Sequence, residues 1–142
     1  MDTQKFVRVI WIPLALELIK QIVHSLVRDT SSGERLQTSD IVSIVATVAI
    51  LFYLGLRVAS IYGGPLLKAA GMGLLVWFIS TVVFVGGTGL VLSLLSAAPR
   101  SSVLTGPVVA FVLFAPAAAV VPVLGAFLGT RYKARSNEPG SD

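Results

Sequence analysis

The chain contains no cysteine. Disulfides, thiolate metal sites and cysteine nucleophiles are excluded, and nothing can be read about the redox compartment. It has a single histidine, His24, so a multi-histidine metal centre is excluded as well. Charge is scarce. Asp, Glu, Lys and Arg make up 13% of the 142 residues, against about 25% in soluble domains. Six of the seven acidic residues (Asp2, Asp29, Glu34, Asp40, Glu138 and Asp142) fall in stretches read as loops or tails. No pair of them stands at metal-ligand spacing. Gly71-Met72-Gly73 and Gly86-Gly87-Thr88-Gly89 are fragments of glycine-rich phosphate loops, but neither completes a nucleotide-binding pattern, and both sit in apolar runs. Serines are plentiful without a histidine and carboxylate in a recognisable arrangement. No enzyme is expected, and no cofactor. A cleavable leader is also not expected, because Glu17 and Lys20 interrupt the first apolar run and no small-x-small site follows it.

What the chain has is apolar length. Hydrophobic residues make up 55%, more than a soluble domain of this size could bury. The expectation is an all-α integral membrane protein: one small helical bundle over residues 1–135 and a disordered polar tail over 136–142. Four candidate spans follow from the runs: 9–28, 41–62, 69–98 and 107–130. Pro13 is placed in the first turn of its helix, which would make the regular helix 13–28 and leave two arrangements open. It either spans or lies flat as an amphipathic interfacial helix. Thr38, Ser39 or Asp40 can cap the second helix, and Thr105 with Pro107 can start the last. Pro116 and Pro122 inside the last span predict kinks. The uncharged run 69–98 is too long for one crossing, with a candidate break at Gly86, Gly87 and Gly89.

Small residues mark candidate helix-packing faces. Gly55, Ala59 and Gly63 recur every fourth residue, and Gly125 and Gly129 form a G-x-x-x-G spacing. With four spans, Lys5, Arg8, Arg57, Lys68, Arg131, Lys133 and Arg135 fall on one side, and Arg28, Arg35 and Arg100 on the other. The basic excess places both termini on the cytoplasmic side of a cell membrane. It reads as an orientation signal, not as a nucleic-acid surface.

The first segment alone carries charge along its length. Glu17, Lys20, Gln21, His24 and Arg28 share one stripe of a helix. Three uses fit. The stripe can dock against lipid head groups, against other membrane subunits or against a second copy of the chain. It can form a proton or cation relay with Glu17 as carrier. Or His24 can be an axial ligand to haem or chlorophyll. A membrane glutamate in the first of four short spans resembles, in layout, the small multidrug resistance transporters. The chain departs from them in its greater length, in Lys20 one turn after the glutamate and in its proline-rich last span, and no motif on the other spans matches. The leading functional expectation is a non-enzymatic accessory or scaffold subunit of a larger membrane assembly, on the ground that no chemical motif is present, the spans carry small-residue faces and the stripe lacks enough partners in its own chain. The alternative is a small oligomeric proton- or cation-coupled transporter or channel using Glu17.

Overall fold

A computed structural model of the chain describes residues 3–27, 37–83, 87 and 101–136. Among these residues there are four helices and no strand: α1 (Thr3–Val27), α2 (Thr38–Tyr62), α3 (Leu66–Thr81) and α4 (Ser101–Ser136). α1 and α2 run antiparallel, since His24 meets Asp40 while Arg8 meets Arg57. α3 returns along α4, with Gly73 against Ala118 and Trp77 against Phe114. α4 runs in the same direction as α2, with Phe52 beside Gly125 and Ala59 beside Gly129.

Two helices are long and apolar enough to cross a membrane, Thr38–Tyr62 and Val112–Ala134 within α4. α3 is apolar but shorter, at 16 residues. Of the long run 69–98, the helix covers the part up to Thr81. The candidate break falls mostly outside the described residues: Gly86 and Gly89 are not among them, and Gly87 is exposed with nothing within 4 Å of a built Cβ.

Pro13 and Pro107 behave differently from the sequence reading. Pro13 does not open a helix; α1 begins at Thr3 and continues through it. Likewise α4 begins at Ser101, ahead of Thr105 and Pro107, and continues without a break through Pro107, Pro116 and Pro122. An internal proline removes one backbone bond, at a cost of about 3 kcal/mol in water. Where the surroundings are apolar, the flanking peptide groups have no water to turn to. Keeping the helical bonds that remain is then the better arrangement. Ser136 also belongs to α4 and not to the tail; residues 137–142 lie outside the described residues.

At the start of α2 the helix begins one to three residues earlier than a cap at Thr38, Ser39 or Asp40 would place it. Gln37 is the extended residue before the helix, and its backbone N–H donates to Asp40 Oδ2 at 2.8 Å. Asp40 therefore sits in the first turn of a helix, where a negative charge is favourable, and not in a loop. α2 ends at Gly63, whose φ of 76° is the left-handed conformation that closes helices, with its N–H donating to the Ala59 carbonyl at 3.1 Å.

The core lies where α1, α2, α3 and α4 meet. Val9, Leu54, Val58, Met72, Val76 and Ala126 form its larger cluster, and Leu51, Trp77 and Ala118 a smaller one beside it. Its tightest seam is α2 against α4. A Cβ on Gly55 would overlap the Pro122 carbonyl oxygen and stand 2.8 Å from the Ala126 nitrogen. One on Gly125 would overlap the Phe52 carbonyl and stand 3.2 Å from the Gly55 Cα. One on Gly129 would stand 2.7 Å from the Ala59 Cβ. Gly63 has nothing within 4 Å of a built Cβ, so it terminates the helix and does not extend this face. Gly73, which the sequence does not mark as part of a packing face, plays the packing part on α3: a Cβ there would overlap the Ala118 carbonyl.

Candidate functional site

The polar stripe of α1 faces α2. Asp40, Ser43 and Thr47 recur at i, i+3 and i+7, which is one face of a helix. Antiparallel pairing slides that face along Glu17, Lys20 and His24. Each contact then brings together groups of complementary hydrogen-bonding character. His24 Nε2 lies 2.8 Å from Asp40 Oδ1. Lys20 Nζ donates to Glu17 Oε1 and to Thr47 Oγ1. The Thr47 hydroxyl lies 3.3 Å from Glu17 Oε1 and 3.0 Å from the Ser43 carbonyl oxygen one turn back. Glu17, Lys20 and His24 of the stripe thus find partners within their own chain, more than the sequence alone leads one to expect. Arg28 lies outside the described residues. Gln21 is half-buried and lines the cavity described below.

Burial grades along the seam. Glu17 is 1% exposed, and the side chains of Lys20, Asp40 and His24 are 11%, 15% and 21% exposed. Glu17 is therefore the deepest charge. Its Oε1 is held by Lys20, but its Oε2 is buried with no hydrogen-bond partner among the described residues. A buried carboxylate is stabilised only as far as its oxygens are paired, so this one is half satisfied. His24 is committed to Asp40 through Nε2, so that nitrogen is not directed at an axial cofactor position. Among the described residues no three His, Cys, Asp or Glu side chains cluster as metal ligands.

Next to Lys20 lies a partly enclosed cavity of about 230 Å³. Its polar lining is Lys20, Gln21, Ser43 and Thr47, and its apolar lining includes Leu51, Trp77, Phe114 and two alanines of α4. The Trp77 and Phe114 rings pack at 5.8 Å between centroids and 59° between planes, the tilted geometry that aromatic pairs favour. The Trp77 indole nitrogen is buried and has no hydrogen-bond partner among the described residues. A second, more open groove of about 600 Å³ runs along the other side of the seam, past Leu16, Ile19, Val23 and Val42. Lys20 and Ser43 border both spaces, so the seam is the partition between them.

Sequence reasoning placed Glu17, Lys20, Gln21 and His24 on one face but missed Asp40, Ser43, Thr47, Trp77 and Phe114. The α2 residues carried a readable signal, the i, i+3, i+7 spacing of polar side chains at the head of an apolar run. The two aromatics carried none, since an aromatic in an apolar helix looks like any core residue. Comparison with protein-family models, with curated proteins and with solved structures found no match.

Proposed function

We propose that the chain is a small four-span membrane protein, non-enzymatic, that moves a proton or small ion by way of Glu17. The observation that carries this reading is the deep burial of Glu17 with one oxygen paired and the other without a partner among the described residues. An ion pair in an apolar bundle is no more stabilising than apolar side chains of the same volume. Ionisable groups in such surroundings mark pathways and relays more often than supports. Lys20, which holds Glu17, borders both spaces.

The four-span arrangement is supported by the antiparallel order of the helices, which brings Lys5, Arg8, Arg57, Lys68, Arg131 and Lys133 to one end of the bundle. That end is read as cytoplasmic, in a cell membrane, by the positive-inside rule. α1 packs lengthwise along α2, which favours a span over an interfacial helix.

Reconstitution tests the reading. Proteoliposomes of the wild-type chain are expected to dissipate an imposed pH gradient faster than empty vesicles, and Glu17→Gln to return the rate to that of empty vesicles. Equal rates for wild type and Glu17→Gln would sink it. A second reading, the accessory subunit, keeps one specific support: Trp11, Ile19, Ile22, Val23 and Leu26 are all exposed along α1. That surface suits lipid or a neighbouring membrane helix. Purification in mild detergent decides it, since a monodisperse protein with no co-purifying partner removes the subunit role.

A further inference from the structure

The cavity beside Lys20 has the volume, lining and charge balance of a ligand site. We infer that it binds a small organic anion with a flat apolar body, and that binding takes up one proton at Glu17. The inference rests on the proton-carrying role proposed above and adds the ligand class.

Volume comes first. An apolar cavity of about 150 Å³ takes up benzene, and this one is about 230 Å³. It fits one ring with a small head group. The lining gives the polarity. Leu51, Trp77 and Phe114 supply apolar surface for the ring, and Lys20, Gln21, Ser43 and Thr47 are the polar side chains beside it. The polar groups then choose the sign of the head. Lys20 carries three N–H donors, of which two go to Glu17 and Thr47. Lys20 is the one charged side chain in the lining, and an anionic head would accept from its third N–H. A cationic head would meet an ammonium.

Charge balance supplies the coupling. With Glu17 ionised, the Glu17–Lys20 pair is neutral, and an added anion would leave the buried site with a net negative charge. With a proton on Glu17, Lys20 is released from its carboxylate and pairs with the anion, and the site is neutral again. One proton enters for each anion, and both states satisfy the Lys20 ammonium. Among the described residues no other ionised side chain competes near Glu17. On α1 the next ionisable side chains are Lys20 itself and His24, which is held by Asp40 of α2. Arg57 of α2 is engaged with the Arg8 carbonyl and with the Tyr53 hydroxyl, at the other end of the α1–α2 contact. α3 carries only Lys68, in its first turn, and α4 carries charge only from Arg131 onward.

Benzenesulfonate is the probe, because it stays ionised throughout the working pH range. The full chain carrying Trp11→Phe leaves Trp77 as the one fluorophore of its kind. Titration in detergent is expected to change Trp77 emission, with affinity rising about tenfold for each unit the pH falls while Glu17 is ionised, as one-proton linkage requires. Neutral benzenesulfonamide and cationic benzylammonium are expected to bind more weakly, and Lys20→Met to remove the preference for the anion. Glu17→Gln is expected to bind the anion without pH dependence. The pH series on unaltered Glu17 and Lys20 stands even if either variant fails to fold. No emission change, a pH-independent affinity, or stronger binding of the amide or the amine would overturn the inference. Glu17-dependent proton flux without benzenesulfonate binding rejects the ligand class and keeps the transport reading. Proton-linked binding without flux rejects transport and keeps the site.

Discussion

α2 meets α1 through side chains and α4 through backbone. Toward α1 it presents Asp40 and Thr47, whose carboxylate and hydroxyl reach His24, Lys20 and Glu17. Toward α4 it presents Gly55 and Ala59, which let the Pro122 and Ala126 main chain come into direct contact. The two seams hold one helix by different physics. Polar bonds are directional and can exchange partners, so the α1 seam can change state when a proton arrives. A glycine seam is set by excluded volume and has one arrangement. The α4 seam is therefore the frame, and the α1 seam the part able to work.

The contrast breaks most severely at Glu17. Glu17→Leu leaves the Lys20 ammonium mostly buried without its carboxylate. Unfolding in detergent is expected to register a loss of about 3–5 kcal/mol. Adding Lys20→Met to Glu17→Leu is expected to recover most of that loss, since both charges are then gone. A double variant as unstable as the single one would mean that the pair itself holds α1 in place. Next in size is the glycine seam. Gly55→Val is expected to cost at or above the upper end of the roughly 1–3 kcal/mol of an overpacked core, read as a lower Tm. No second substitution on α1 should relieve it. Gly71→Ala on α3 is the matched control. Nothing lies within 4 Å of a Cβ there, and the change is expected to be neutral or to stabilise by up to about 1 kcal/mol. The smallest loss is at the open end of the polar seam. Asp40→Asn weakens the bond to His24 and the N–H bond from Gln37. The expected loss is about 1 kcal/mol, and proteolysis should show it first near the start of α2.

Apolar runs made the helices legible in the sequence, together with the grouping of Glu17, Lys20, Gln21 and His24 on one face. The small-residue spacing at Gly55, Ala59, Gly125 and Gly129 was equally visible. The helix starts were not. Pro13 and Pro107 were read by their behaviour in water, whereas both helices continue through them. Gly63 shared the four-residue spacing of the packing face but serves as a helix end, because spacing cannot report a positive φ.

Covalent order and side-chain chemistry alone determined that this chain is helical, rich in apolar surface, poor in charge and without cysteine chemistry. Those properties follow from each segment by itself. What covers the stripe of α1 could be decided only by tertiary structure, because it depends on which helix lies beside it, in which direction and in what register. A shift of one residue in α2 turns Thr47 by about 100° around the helix axis, at 3.6 residues per turn, and takes it away from Lys20. The cavity is more remote still from sequence, since its walls come from all four helices and exist only where they converge.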